Sequence, residues 1–297
     1  MQRPRAKHWI MLLSLSLLWG MAFYLIAIGL RGFPPLTLVT VRMAFGALTL
    51  YLIMRWQGFS LPRDSSWWLH FALLSTMGNL IPFSLISWAE TQIDSAQAGL
   101  LMALMPISTL VLAHWFVPGE TITPRSLSGV LLGLVGVTVL IGSDALRGVG
   151  GPELVAQLAV VAATLAYSGN AVYTKKLPHI ETVVVATGTL VAGTLLLLPF
   201  ALYLEAPWRL APPLQAALAT LALGVLSTGI ATWIYFRVVS DCGPGFLSLI
   251  NYLIPVIAFG AGVLLLGEGA APSQFLGLVF ICLGIALTQS RHRRMAA

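Results

Sequence analysis

The sequence predicts an all-α polytopic membrane protein: ten transmembrane helices arranged as two inverted five-helix repeats. Three observations lead there. Of 297 residues, 58% are hydrophobic and only 9% are charged, with a mean hydropathy of +0.90, whereas a soluble domain carries about 25% charged residues. Apolar runs of about 20 residues, the length that crosses a bilayer as a helix, recur along the chain. The second half of the chain also echoes the first.

Taken in order, the spans fall near 8–29, 34–54, 67–88, 95–117 and 124–142, then 153–174, 182–204, 213–236, 244–266 and 272–290. The run after MQRPRAKHW starts like a signal peptide. It continues for about 20 residues, too long for an h-region, so a retained first helix is expected. Gly32-Phe33-Pro34-Pro35 turns the chain into the second span. Thr123 before Pro124 reads as an N-cap followed by proline at the first helical position. Gly243-Pro244 and Ala271-Pro272 punctuate the last three spans. Cys242 falls at a helix end and Cys282 inside a span, too few and too scattered for a disulfide framework.

The net charge of +6 does not point to nucleic acid, because the basic residues flank apolar runs instead of forming a stripe. An even helix number puts both termini on one side. That side collects twelve of the sixteen Lys and Arg residues, including Lys175, Lys176 and the RHRR at 291–294. The opposite loops hold Arg31, Arg147 and Arg209, and Arg42 lies within helix 2. The bias places the N- and C-termini in the cytoplasm, with the basic blocks against anionic lipid.

TITPRSLSGVLLGLVGVTVL (121–140) aligns with GAAPSQFLGLVFICLGIALT (269–288) at an offset of 148, pairing Pro124 with Pro272, Gly129 with Gly277 and Gly136 with Gly284. Glu120 and Glu268 pair at the same offset, as do WGMAFYL (19–25) and YSGNAVY (167–173). AGLLMALMPI (98–107) lies over FLSLINYLIP (246–255) at 149, so Pro106 meets Pro255. Each half holds five spans, so the second copy enters the membrane from the other side. Inverted repeats of this kind belong to secondary transporters, with substrate bound near the bilayer midplane at the repeat interface. The domains are then residues 1–145, residues 150–290 and a basic cytoplasmic tail, 291–297.

The chain resembles the drug/metabolite transporter superfamily, EamA type. LLWGMAFYLIAIG (17–29), Arg42 in VRMAFGALTL, SAQAGLLMALMPISTLVLAHWFVPGETIT before Pro124, and GFLSLINYLIPVIAFGAGVLLLGEGAAP (245–272) carry the likeness. The resemblance spans about residues 8–290. It is closest to the bacterial amino-acid and metabolite exporters, including the aromatic amino-acid branch, and implies a multi-pass protein of the bacterial inner membrane. The small dimeric members of that superfamily carry a glutamate inside helix 1. Helix 1 here has no acid, which weakens a proton-exchange multidrug reading.

All ten acids lie at helix ends or in loops. With no carboxylate at mid-depth, gradient-driven transport without obligatory proton coupling is expected. Glu120 and Glu268 precede helices 5 and 10, where a carboxylate suits the helix dipole. Arg42 lies about 10 Å below the surface at roughly 1.5 Å per residue. It either anchors a substrate carboxylate, or snorkels outward and ties neighbouring carbonyls, and the residues alone favour the second. His114 near the cytoplasmic end of helix 4 reads as structural or interfacial.

The helix centres collect polar and aromatic residues at spacings that share a face. Trp19, Asn79, Phe83 and Met102 come from the first half. Tyr167, Asn170, Ser227, Asn251 and Tyr252 come from the second. Each alone is explained by helix packing. Together they resemble a lining for a small neutral or zwitterionic molecule with an apolar side chain. A quaternary ammonium held by cation–π attraction is the alternative. Few cations could meet a polyanion. Pro106 and Pro255, with Pro82, are the hinge or gating candidates.

An intramembrane enzyme is disfavoured. There is no H-E-x-x-H motif, no mid-membrane aspartate pair, and every lysine is peripheral. A channel would need a continuous polar lining. The glycines of helices 5 and 10 suit close internal packing more than a dimer seam. The expected state is a monomer, with a homodimer as the alternative. The expected partners are a small-molecule substrate (an amino acid or similar metabolite) and the lipid bilayer, with no cofactor, metal or nucleic acid.

Overall fold

The computed structural model of the protein describes residues 4–117, 122–147, 151–174, 177 and 180–289. Lys175, Lys176, Glu120 and the tail 291–297 lie outside the described residues. The described residues form helices throughout: α1 Ala6–Gly29, α2 Pro35–Trp56, α3 Ser65–Ala89, α4 Ser95–Phe116, α5 Pro124–Arg147, α6 Pro152–Thr174, α7 Thr182–Glu205, α8 Leu214–Cys242, α9 Gly245–Leu266 and α10 Pro272–Gln289. Eight are long and apolar enough to cross a membrane, and α5 and α10 carry shorter apolar stretches, Pro124–Val139 and Pro272–Leu287. Leu195, Leu204, Leu218 and Leu264 face outward, Leu264 with 82% of its surface exposed. In water such a belt would aggregate; in a bilayer it is the lipid contact. The chain is a multi-pass membrane protein.

The helix starts follow local chemistry. Asp64 caps α3 by accepting from the Ser66 amide at 3.0 Å. At α5, the Thr123 amide donates to the Ser126 hydroxyl at 2.8 Å and the Ser126 amide donates to Thr123 Oγ1 at 3.2 Å, so the expected cap is present. Two other starts are capped from far along the chain. Glu205, the last residue of α7, accepts from the Leu36 and Thr37 amides of α2 at 3.0 and 2.6 Å. Glu268 accepts from the Ser95 and Ala96 amides of α4 at 3.0 and 2.8 Å, and from the Ser95 hydroxyl at 2.8 Å. This corrects the expectation for Glu268, which serves α4 and not α10. Its two oxygens match the pair of free N–H groups that a helix start exposes.

Most boundaries fall within a few residues of the sequence reading. α5 and α8 run on further, α5 from the expected residue 142 to Arg147, and α8 from 236 to Cys242 before Gly243 (φ +81°) ends it. The last turns of α8 are fastened to the start of α1, where Asp241 approaches Lys7 at 3.9 Å and His8 at 3.5 Å.

The helices pack in an ordered set of pairs. α1 lies on α9 and α8, and α6 lies on α4 and α3. α2 lies on α7 and α8, α3 on α7, and α5 on α10. Exchanging helix n with helix n+5 maps this set onto itself. Between apolar helices in lipid the hydrophobic effect is spent, so close packing holds them together. The α5–α10 crossing shows how close. A Cβ on Gly284 would sit 2.6 Å from the Gly129 carbonyl oxygen, and one on Gly136 would sit 2.9 Å from that of Gly277.

Candidate substrate site

Two helices lose their regular hydrogen-bond ladder at matching places. α3 widens into a π-helical turn at Thr76–Leu80, and α8 does so at Leu223–Ile230. The repeat offset of 148 carries 76–80 onto 224–228, inside the second π turn. Such widened turns leave carbonyls free for other donors. Pro82 follows the first π turn and has no N–H to return to Gly78. In the second, Ser227 offers its carbonyl to Trp19 Nε1 at 3.1 Å, and the Thr228 hydroxyl donates to Leu223 O at 3.0 Å.

Thr228 also receives Arg42, whose Nε donates to Thr228 Oγ1 at 2.9 Å. The Arg42 guanidinium carbon stands 3.6 Å from the centroid of the Phe83 ring. Phe83 in turn meets Tyr167 edge-on, with centroids 6.4 Å apart. Arg42 is 6% exposed. The snorkelling expectation is therefore corrected: the side chain turns inward, because the π turn of α8 supplies an acceptor and Phe83 a cation–π platform. Its terminal Nη groups have no hydrogen-bond partner among the described residues.

The other expected residues divide into groups. Ser227 is buried and its hydroxyl lacks a partner. Asn170 packs over Gly78, and its sealed Oδ1 accepts no hydrogen bond. Asn79 lies in the π turn beside Gly78, half-buried. Trp19 stacks at 5.5 Å on Tyr235. Met102 and Tyr252 pack against the main core, and Asn251 is half-buried beside Tyr252. Buried polar atoms are nearly always paired, so the orphaned Asn170 and Ser227 oxygens mark places poised for another donor.

Both fourth-position helices tighten just before their prolines. α4 forms a 3₁₀ turn at Met102–Leu104, one residue before Met105-Pro106. In α9, the Leu249, Asn251 and Tyr252 amides reach back only three residues, to Phe246, Ser248 and Leu249, and Pro255 follows. A proline cannot bond the carbonyl four residues earlier and crowds it, and the tightened turns absorb that conflict.

Sequence reasoning missed Glu90. It closes α3 and is one of the ten acids read as lying at helix ends or in loops. Both carboxylate oxygens are sealed and accept no hydrogen bond. A charge on Glu90 is repelled by Glu268 and attracted by Arg42. In the turn after it, burial raises the Asp94 carboxyl above its ordinary range, with Glu268 pushing the same way. A separate cleft of about 140 Å³ opens at the other end of the bundle between α2, α7 and α8, lined by Gln57, Glu181, Thr182 and Arg237 among others. None of the expected site residues lines it.

Comparison with known proteins gives this constellation a context. The model of the EamA-like transporter family matches residues 7–142 and again 154–289. The uncharacterized transporter YoaV of Bacillus subtilis is 27% identical, over 92% of this chain and 94% of its own. The aromatic amino acid exporter YddG of Ancylobacter novellus is 29% identical, over 82% and 83%. A protein of known crystal structure superposes with a TM-score of 0.71 at 23% identity, covering 99% of this chain and 100% of that one, a likeness of fold alone. The family model covers nearly the whole chain in two passes, and on that ground the chain belongs to the EamA-like transporter family.

Proposed function

We propose that the protein exports amino acids with apolar or aromatic side chains, or closely similar metabolites, across a bacterial inner membrane by alternating access. The observation that carries this reading is Arg42, held inside the bundle on Phe83 and Thr228, with no hydrogen bond to its terminal donors among the described residues. A guanidinium buried against an aromatic ring suits a carboxylate bearing an apolar side chain. The likeness to an aromatic amino acid exporter points the same way.

In this reading ten spans form two inverted halves, residues 1–145 and 150–290, with both termini cytoplasmic. The contact pattern that survives exchange of helix n with n+5 supports the two halves. The lysine and arginine bias supports the orientation. Pro106 and Pro255, with Pro82, are the flexing points. The site draws on Trp19, Asn79, Phe83, Met102, Tyr167, Asn170, Ser227, Asn251 and Tyr252. The carrier works as a monomer, since the α5–α10 glycines are already covered within one chain. No obligatory proton is coupled.

Counterflow in proteoliposomes tests this. Vesicles loaded with unlabelled phenylalanine or leucine should accumulate the labelled amino acid saturably. Counterflow of quaternary ammonium ions with none of amino acids would overturn the reading in favour of a lipophilic-cation exporter. Uphill accumulation driven by an imposed pH gradient alone would remove the uncoupled part.

A further inference from the structure

Phe83, Ser87 and Glu90 stand at i, i+4 and i+7, the spacing that holds three side chains on one face of a helix. Arg42 lies over the first of them. Ser87 is fully buried and its hydroxyl has no partner. Both Glu90 oxygens are sealed without one. Among the described residues, this stripe thus starts at a cation whose terminal donors have no partner and ends at a carboxylate whose acceptors have none. The two lie within electrostatic reach of each other without a hydrogen bond between them. Seven residues of helix separate Phe83 from Glu90, about 10 Å of axis at roughly 1.5 Å per residue, and side chains lean back toward the helix start.

Glu90 is poorly placed for a lone negative charge. It sits at the C-terminal end of α3, where the helix dipole and free carbonyls favour a cation. Glu268 adds a second negative charge nearby. A sealed charge without a partner is costly. The charged groups that act on Glu90 are Glu268 after α9 and Arg42 on α2, with Asp94 in the turn after α3 and Tyr167 on α6 coupled to the same two. Arg42 is the one cation among them, and Thr228 and Phe83 already hold it in place. One end of the stripe therefore calls for an anionic group and the other for a cationic one.

We propose that Glu90, assisted by the Ser87 hydroxyl, seats the α-ammonium group of the substrate while Arg42 takes the α-carboxylate, so that the site reads amino-acid zwitterions at two points. The proposal rests on the reading that amino acids are the cargo, and names what selects them. A molecule with only one of the two groups leaves a buried charge uncompensated, and the apolar side chain lies along Phe83 and Tyr167.

The test is competition against labelled phenylalanine counterflow by four unlabelled compounds: phenylalanine, phenylalanine amide, phenethylamine and 3-phenylpropionate. In the wild type, phenylalanine should outcompete each of the others by roughly tenfold or more, the range for a hydrogen bond to a charged group. In Glu90→Gln, phenylalanine should weaken to the level of 3-phenylpropionate, while 3-phenylpropionate itself shifts less than about twofold. In Arg42→Gln, phenylalanine should fall to the level of phenethylamine, with phenethylamine unchanged. The unchanged analogue in each variant shows that the carrier is folded. If Glu90→Gln keeps the wild-type preference for phenylalanine over 3-phenylpropionate, or weakens both equally, the ammonium seat is overturned while amino-acid transport stands. If the wild type carries no amino acid, both fall.

Discussion

α5 with α10 and α4 with α9 are pairs of helices at the same positions in the two halves, yet they are built in opposite ways. α5 and α10 are continuous helices, pressed together where glycine leaves no room even for a methyl group. α4 and α9 also touch, but each is tightened by three-residue hydrogen bonds just ahead of a proline. The first pair gains its stability from contact and has one good arrangement. The second gives up backbone bonds in its middle, beside the expected lining residues Met102, Asn251 and Tyr252. A carrier needs both kinds of pair: a seam that holds its shape and a pair of helices whose ends can swing.

The largest expected effect comes from breaking the seam. Gly284→Leu forces a side chain into the backbone of α5 at Gly129 and Gly133, an overpacking worth about 1–3 kcal/mol or more. The melting temperature of the purified carrier in detergent should drop, and a variant that melts like the wild type would show that the seam yields. Next come Pro106→Ala and Pro255→Ala. Each restores one backbone donor, worth roughly 0.5–1.5 kcal/mol. The melting temperature should hold or rise while counterflow slows several-fold, the reverse of what seam damage does. Wild-type rates in both stable variants would make the prolines mere packing elements.

The smallest effect is expected far from either pair, at Asp64. The Ser66 hydroxyl and then its amide hold this exposed carboxyl below its usual range. A lowered folded-state value means the cap contributes at neutral pH and is lost as pH falls through that value. Asp64→Ala should lower the melting temperature slightly near pH 7 and not at all in acid. A difference that persists in acid would place the effect elsewhere than in the carboxylate.

Much of this architecture is legible in the residues. The apolar runs, and the Thr123-Pro124 cap between two of them, place the helices because membrane helices satisfy their own backbones. The pairing of Pro106 with Pro255 picks out two helices that do tighten at those points. The π turns at Thr76–Leu80 and Leu223–Ile230 were invisible, since both lie inside uninterrupted spans and show only in the backbone of the folded chain. The direction taken by Arg42 depends on Thr228, 186 residues away. Glu90 misled for a related reason. A carboxylate at a helix end normally meets water, and nothing local says that the neighbouring segments close over it.

The carboxylates that cap at a distance also bear on how such a chain is assembled. α2 and α4 emerge early from the ribosome, yet the acceptors for their first amides, Glu205 and Glu268, are made 168 and 173 residues after Thr37 and Ser95. Until then those amides must make do with lipid headgroups or water. The two halves are thus unequal partners in biogenesis, the early one waiting on the late one to finish its helix starts. A nascent chain released before residue 268 is expected to meet the quality-control proteases of its membrane with α4 uncapped, however complete its first five helices are.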